Sequence, residues 1–489
     1  MSKKQTRSRR QYLQTISVAG ITGVAGCTGD DTDGSTGDES NTNRSSDTDS
    51  EGETTEGYRV DQSGDGQLTI GHLSTEANPL GVGSVRAAEM AVHEINNNGG
   101  VQGEDVELVT GDTAATPTEA ERLVEALIRE DNANVIVGGF LPEVAKAVLD
   151  LTADFAIPYV STGLSVPGPG PSTGFGTPDY EDYKHYFRIG SINPALQAEA
   201  MRDYLVYLSD RHGWNSLAFY RDQATWTEVF GSVLPGLLED EGLSIEAEQA
   251  LSIRNPDLSP VISTAQEENV DYVLRFFGHI GASPQQIFPQ WRGDLEFGLE
   301  GIHIPGTHPE YDIPNRGRNI YETTGQHGAG GATPLTDNTQ PFIERYIQQY
   351  AGSEFEVSTP DGSPMQMGFG TYDAILLLQQ VCNEIGTPAP DEHLNDYVDA
   401  MLSTQPGDID SVSGPIEFYG PEAEFPHDLR AVRDQNDRIT NFPVTQFQPY
   451  NGGNVSTVEY GAVDRPGQVE CVYPERHRTA DHQQPSWMS

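Results

Sequence analysis

Between Gln67 and Gly190 short apolar runs alternate with longer amphipathic ones, and this alternation constrains the fold more than any other feature. Leu68–Leu73 is the first apolar run. A polar Gly/Pro/Asn stretch, Ser74–Gly83, follows it, and then a helical pattern from Ser84 to Asn97 stopped by Gly99-Gly100. Val106–Asp112 reads as a strand. Thr118–Asp131 reads as an amphipathic helix opened by Thr116-Pro117, with Leu123, Leu127 and Ile128 on one face. Asn134–Phe140 is a buried strand, Pro142–Phe155 a helix with proline in its first turn, and Pro158–Ser161 the next strand. Runs apolar on both faces must be covered on both sides, and parallel strands need a crossover between them. The stretch therefore predicts an α/β unit with a parallel sheet between helices.

The pattern restarts near Phe187. Helices are expected at Asn193–Arg211, Thr227–Glu241 and Ser259–Glu268, and strands at Ser216–Tyr220, Ser244–Leu251 and Tyr272–Phe277. In Gly278–Asn338, rich in Gly, Pro and His, only Ile302–Pro305 reads as strand. Helices are expected at Pro341–Tyr350, Gly370–Glu384 and His393–Leu402, and terminal strands at Gly414–Phe418 and Asn441–Gln448. The tail after about Val472 is polar and reads as loose.

Charge narrows the setting. The chain of 489 residues carries 74 Asp and Glu against 28 Lys and Arg, a formal charge of −46, and only four of the positives are Lys. Such a surface repels itself in dilute buffer and suits molar salt, where the screening length is about 3 Å. No basic footprint for nucleic acid is visible. Residues Met1–Cys27 read as an export signal: a basic start, then a weakly apolar run, Ile16–Val24, too short to span a bilayer. Arg9-Arg10 resembles the twin-arginine pattern. Val24-Ala25-Gly26-Cys27 resembles a lipobox, in which Cys27 takes the lipid. Residues 28–66 have almost no apolar side chain and are expected to be a disordered acidic tether, with a reach of about 35 Å. Cys382 and Cys471 are left either to form one disulfide or to stay as buried thiols.

Taken together, Leu68–Gln448 resembles the branched-chain amino acid/amide type of solute-binding protein from ABC importers. The resemblance rests on Ile70-Gly71, RAAEMAVHEINNNGGVQG (Arg86–Gly103), ELVTGDTAATPTEA (Glu107–Ala120), VIVGGF (Val135–Phe140), IPYVSTG (Ile157–Gly163) and YFRIG (Tyr186–Gly190). GTYDAILLL (Gly370–Leu378) and SGPIEF (Ser413–Phe418) follow in the same order. It implies two doubly wound, Rossmann-like lobes, the type I periplasmic binding protein fold, joined by a three-crossover hinge. Lobe 1 would hold 67–188 and 333–428, lobe 2 would hold 189–332 and 429–472, and 473–489 would be the tail. Hinge closure would trap ligand between the lobes.

Ser74–Gly83 carries Gly81-x-Gly83, but a dinucleotide fingerprint needs a third glycine where Arg86 stands. By resemblance the stretch lines the cleft instead, with Leu80 where relatives place an aromatic; a plain solvated loop is the alternative. Leu141-Pro142 occupies the place of a small or Ser pair that receives an amino-acid carboxylate, and Glu143 adds a negative charge there. Ser161, Leu164 and Ser165 fit the second carboxylate-binding turn, or simply form a Ser/Thr turn. Trp226 matches a ligand-covering aromatic, against ordinary burial. His279 and Glu310 match the next two loops, Glu310 as the carboxylate for a ligand ammonium. His303, His308 and Glu310 lack zinc-protease spacing, and no G-x-S-x-G elbow is present, so neither metal, cofactor nor catalytic residue is expected.

The resemblance implies a monomeric, non-enzymatic receptor lipid-anchored outside the cell. It would pass a small polar solute (a branched-chain amino acid, amide or urea-like compound) to an ABC permease and its ATPase. A ligand-sensing domain for a receptor or kinase, or an exported α/β hydrolase, are the alternatives.

Overall fold

The computed structural model describes residues 66–76, 79–170, 179–253, 257–278, 296–303, 322–324, 333–350, 364, 366–449, 467–484 and 488. The signal, Cys27 and nearly all of the tether lie outside them.

The first sheet contains β1 (Thr69–Ser74), β2 (Glu107–Asp112), β3 (Val135–Gly138), β4 (Tyr159–Thr162) and β5 (Tyr186–Ile189), all parallel in the order β2-β1-β3-β4-β5. Every residue of β1, β3, β4 and β5 is buried, and only the edge strand β2 is partly exposed. That is why these strands read as unbroken apolar runs rather than as alternations. Four helices alternate with these strands: α1 (Pro79–Asn97), α2 (Pro117–Arg129), α3 (Pro142–Phe155) and the short α4 (Tyr180–Tyr183). Helices α2 and α3 cover one face, burying Val124, Leu127, Val144 and Val148 against Ile136 and Tyr159.

The other face is covered by α1 and by a distant part of the chain. The second unit begins with α5 (Pro194–His212), β6 (Ser216–Asp222), α6 (Thr225–Asp240), β7 (Ser244–Leu251), α7 (Ser259–Glu267), β8 (Tyr272–Phe277) and β9 (Gly298–His303). Its parallel sheet has the order β7-β6-β8-β9, the same reversal as β2-β1-β3-β4. After β10 (Glu322–Thr324) the chain returns to the first sheet as α8 (Thr339–Tyr350), α9 (Gln366–Ile385) and α10 (Leu394–Ser403). Phe342, Phe369, Leu378, Tyr397 and Met401 from these helices pack with Ile70, Val137, Val160 and Phe187 in one core. Then β11 (Val444–Pro449) pairs antiparallel with β10 on one side and with β12 (Gly467–Tyr473) on the other. Val444 and Val472 join the second core with α5, α6, Phe219 and Leu274. Two doubly wound α/β lobes result, each completed by chain that has passed through the other.

Helix α9 is held to the first sheet by hydroxyls as well as by apolar packing. His72 Nε2 meets Ser84 Oγ at 2.8 Å, Ser84 Oγ meets Thr371 Oγ1 at 2.7 Å, and Thr371 donates to Thr162 Oγ1 at 3.1 Å. Burial pushes the His72 imidazole down to about 4. Because the folded value lies below the unfolded one, the histidine's stabilising share is complete above about pH 6.5 and is lost as pH falls toward 4. His72→Gln is therefore expected to gain on the parent by about 1.4 kcal/mol per pH unit across that window, read from chemical denaturation at several pH values.

Asp373, two residues farther along α9, accepts from Ser411 Oγ at 2.7 Å, Val412 N at 2.8 Å and Ser413 N at 2.9 Å, and so fixes the segment that returns to β5. The same helix touches the first crossover between the lobes, the chain between β5 and α5, where Gly370 faces Gly190. Gly190 has a φ of +104°, and a Cβ on Gly370 would lie 2.8 Å from Gly190 Cα. Gly370→Val is expected to cost about 1–3 kcal/mol of stability by overpacking this contact, measured by denaturant midpoint in molar salt.

Several expectations change. Helix α1 begins at Pro79, so Leu80–Gly83 is helical and the expected loop shrinks to its first few residues. Proline fits a first helical turn, and a Cβ on Gly81 would lie 2.1 Å from Thr75 O, so this glycine permits close packing rather than a loop. Gly414–Phe418 forms no strand: its pairing is a single bridge, Phe418 to Leu429. The tail is not loose as far as Gln484. His482 is buried, with Nε2 3.2 Å from Glu300 Oε1 and Nδ1 2.8 Å from His212 Nε2. Both Cys382 and Cys471 are buried free thiols that burial pushes up to about 12.

Candidate functional site

In each sheet the strand order reverses between two neighbouring strands, β1 and β3 in one, β6 and β8 in the other. Loops leaving the carboxyl ends of strands diverge at such a point and open a crevice. In lobe 2 the crevice floor is tied across the reversal, where Gly278 N donates to Asp222 Oδ2 at 2.8 Å.

A narrow cleft of about 30 Å³, open to solvent, lies between the lobes. Lobe 1 contributes Gly163, Leu164 and Ser165 from the turn after β4, and Gln366 from the first turn of α9. The first crossover and the start of α5 contribute Ser191, Pro194 and Gln197. Lobe 2 contributes Trp226 and Phe230 from α6, Ile302 from β9, and Phe442 from the approach to β11. The walls are thus apolar and aromatic, with two hydroxyls and two carboxamides among them, and no ionisable side chain among the described lining residues. Trp226 packs edge-on against Phe230, with ring centroids 6.1 Å apart. Its indole N–H is buried and finds no acceptor among the described residues.

Helix starts surround this space. Neither α3, which follows Leu141, nor α6, which follows Ala224, has a side-chain cap on its first amides. The two starts meet across the cleft: Thr225 Oγ1 donates to Glu143 Oε1 at 2.9 Å. This bond joins lobe to lobe. The start of α5 is different, because Asn193 Oδ1 already accepts from Ala195 N at 3.0 Å and Leu196 N at 3.2 Å.

Behind the cleft one cation sets the position of two of its walls. Arg188, on β5 and fully buried, donates from Nε to Leu164 O at 3.0 Å; its Nη2 bonds the same oxygen and its Nη1 bonds Ser191 O. Asp428, equally buried, lies 3.6 Å from Arg188 Nε and accepts from Asn193 Nδ2 at 2.9 Å. Burial raises the Asp428 carboxyl to about 6 against the opposing pull of Arg188. The turn after β4, the chain between β5 and α5, and the segment at Asp428 are therefore wired to one ion pair.

Of the residues expected from the sequence, Leu164, Ser165 and Trp226 line the cleft together. Ser161 does not. It is fully buried, and its hydroxyl is bonded to Tyr186 OH at 2.6 Å, so it joins β4 to β5. Leu80 and Leu141 stand apart from the described lining and pack instead with Phe140 and Met367. His279 and Glu310, like Cys27, lie outside the described residues. Sequence reasoning missed Ser191, Pro194, Gln197, Phe230, Ile302, Gln366 and Phe442. Only Ser191 and Pro194 had a signal, their place just after the YFRIG crossover.

A family profile for periplasmic binding proteins matches residues 68–438, and the chain belongs to that family. The leucine-, isoleucine-, valine-, threonine- and alanine-binding protein of Pseudomonas aeruginosa is 22% identical over 191 residues, 39% of this chain and 47% of that protein. The match thus spans about half the length of that curated relative. Among solved structures, a branched-chain amino acid ABC transporter protein from Silicibacter pomeroyi aligns with a TM-score of 0.64 at 16% identity, covering 86% of this chain and all of the other. A solute-binding protein from R. palustris in complex with benzoate gives 0.58 at 16% identity, over 78% of this chain and 93% of that one. A branched-chain amino acid substrate-binding protein from Streptococcus pneumoniae, bound to isoleucine, gives 0.58 at 15% identity, over 83% and 99%. At these identities the structural likeness establishes the two-lobed fold. No described helix is long and apolar enough to cross a membrane.

Proposed function

We propose that this chain is the solute-binding lipoprotein of an ABC importer, exported by the twin-arginine route and held outside the membrane through Cys27. It captures a small solute by lobe closure and hands it to a permease driven by an ATPase. The observation that carries the reading is the cleft at two facing strand-order reversals, lined from both lobes and bridged by Glu143 and Thr225. A ligand closes lobes only if it binds the closed state better than the open one, and a cleft built from both sides meets that condition.

The lining also supports a solute class. Leu164, Trp226, Phe230, Ile302 and Phe442 suit an apolar or aromatic body. Ser165, Ser191, Gln197, Gln366 and the indole N–H of Trp226 suit a polar head that accepts hydrogen bonds. Uncapped starts of α3 and α6 favour negative charge on that head, with Glu143 as the group an anion would compete against. Amino acids carry such a head, and so do aromatic acids such as the benzoate held by the R. palustris protein.

The test is a thermal-shift and small-angle scattering series on the purified chain in molar potassium chloride. Leucine, isoleucine, short amides, urea, benzoate and 4-hydroxybenzoate form the panel. One class is expected to raise Tm and compact the protein, with stabilisation of about 2.7 kcal/mol at a hundredfold excess over Kd. Hydrolysis of ester or amide substrates with no compaction by any solute would overturn the reading.

A further inference from the structure

Residues 481–484 lie beyond the stretch matched by the family profile and are held against lobe 2 by side chains rather than by a sheet. The Gln446 carboxamide reads their backbone in both directions, donating to Gln483 O at 2.9 Å and accepting from Gln483 N at 2.9 Å. Gln448 Nε2 donates to Asp481 O at 2.9 Å. Between these contacts His482, 2% exposed, enters a box of Trp214, Tyr204 and His212, whose ring centroids lie 5.8, 6.4 and 4.9 Å from its own.

The hydrogen bonds through this box form one chain. Tyr204 OH donates to Glu300 Oε2 at 2.6 Å, and His482 Nε2 meets the other carboxylate oxygen at 3.2 Å. His482 Nδ1 faces His212 Nε2 at 2.8 Å, and His212 Nδ1 faces Gln484 Nε2 at 3.2 Å. A carboxylate only accepts, so His482 Nε2 donates to it. His482 Nδ1 then accepts from His212 Nε2–H, and His212 Nδ1 accepts from Gln484. Both imidazoles are neutral in this arrangement, and all four of their nitrogens are used. One further proton is accommodated by turning the Gln484 carboxamide so that its oxygen accepts. A second sets N–H against N–H across 2.8 Å.

The charges around the pair do not relieve that clash. Burial pushes the His212 imidazole down to about 4, and His482 and Arg211 add to the shift. Arg211 Nη2 lies 3.2 Å from Asp481 Oδ2, and Asp481 is shared with Arg478 at 3.5 Å. Asp271, before β8, is taken up by the amides of Asn215 and Ser216 at 2.6 and 2.9 Å. Tyr207 and Tyr473 stack against Tyr204, and Tyr272 against Trp214; burial pushes the phenols of Tyr204, Tyr272 and Tyr473 up, so they add no negative charge. Glu300 is the one acid in contact, and it meets only the far nitrogen of His482.

We propose that residues 481–484 are a proton-sensitive strap, which clamps the end of α5 to β9 while the paired imidazoles are neutral and is released when both are protonated. Strand β9 is the edge of its sheet, and Ile302, which lines the cleft, follows Glu300 by two residues on the same face. Release therefore loosens a strand that carries one wall of the cleft. The clamped value of His212 lies below the free one. The strap's hold is thus complete above about pH 6.5 and weakens by up to about tenfold per pH unit toward 4.

The test is hydrogen exchange read by mass spectrometry on the full chain in molar potassium chloride, at pH 7.5 and 4.5, with no solute added. After correction for intrinsic rates, protection of residues 479–484 and of β9 is expected to fall at least tenfold at pH 4.5 while α9 keeps its own. His212→Gln is expected to remove this fall, because a carboxamide there donates to the neutral His482 ring and accepts from the charged one. Equal tail protection at both pH values in the parent, or the same fall in His212→Gln, overturns the inference. So does loss of tail and α9 protection together, because the strap would then open only with the fold. If His212→Gln fails to fold, a chain ending at Ala480 is expected to show at pH 7.5 the β9 exchange that the parent shows at pH 4.5. Parent-like β9 protection in that shortened chain at pH 7.5 overturns the inference. No solute enters the measurement, so its failure and a failure of the transport reading are distinguishable.

Discussion

Arg188→Met is expected to destabilise the protein by about 3–5 kcal/mol and to abolish closure on solute in whatever population stays folded. Removing one partner of a buried pair strands the other charge in a medium that cannot solvate it, and that is the larger part of the cost. Here the stranded group is Asp428, whose remaining side-chain donor is Asn193 Nδ2 at 2.9 Å. The substitution also leaves Leu164 O and Ser191 O without the donors that now hold them. Both residues line the cleft, so stability and binding fail together. The check is a denaturation curve in molar salt for Arg188→Met, Asp428→Leu and the double variant. Recovery of most of the loss in the double variant identifies the stranded charge as the cause, because an apolar pair of similar volume can replace a buried ion pair at little cost. Additive losses would show that Arg188 and Asp428 act independently. Restored stability without restored solute binding would separate the positioning of Leu164 and Ser191 from the stability of the hinge.

Trp226→Ala is expected to raise the Kd for solute by at least about thirtyfold, the range of a buried aromatic hot spot worth some 2 kcal/mol. Trp226 stands at the start of α6, beside the Thr225 that bridges to Glu143, and it presents both the broadest apolar face of the cleft and an indole N–H with no acceptor among the described residues. Trp226→Phe keeps the face and removes the donor. A solute whose polar head uses the indole N–H is expected to lose about tenfold with Phe and more with Ala, whereas a solute held by the ring face alone distinguishes Phe little from the parent. Intrinsic fluorescence titration reads both variants, since removal of Trp226 also removes its own signal and leaves three other tryptophans as internal controls. Unchanged affinity in Trp226→Ala would remove this residue from the site.

Most of the scaffold was legible before the structure. Strands such as Ser244–Leu251 and Tyr272–Phe277 and the helix Pro142–Phe155 have the bounds expected of them. Each is announced locally, by an apolar or alternating run or by proline in a first turn. The errors lie where residue type alone misleads or where the partners are distant. The proline and glycines at the start of α1 resemble loop residues, but Gly81 is there because Thr75 passes against it. The tail looked loose because His482 and Gln483 are polar, and their partners, Glu300 and Gln446, lie far away in sequence.

The site divides the same way. Leu164, Ser165 and Trp226, which line the cleft, were picked out because each follows a recognisable strand. Ser161 was picked out for the same reason, and the neighbouring strand β5 brings Tyr186 OH to its hydroxyl, away from the described cleft lining. Gln366 and Phe442 were invisible, since nothing in their neighbourhood distinguishes them from any other polar or apolar residue at an element's edge.

The sequence by itself determined two parallel α/β units, largely through apolar strands that need a layer of helices on each face, and a strongly acidic composition. Only the tertiary structure decided which parts of the chain complete each lobe, which side chains meet in the cleft, and that Arg188 and Asp428 hold its turns. The reason is one of range. Strand and helix patterns are dictated by neighbours a few residues away, whereas a cleft and a buried ion pair are made by segments hundreds of residues apart, and their energy exists only once the chain has folded back on itself.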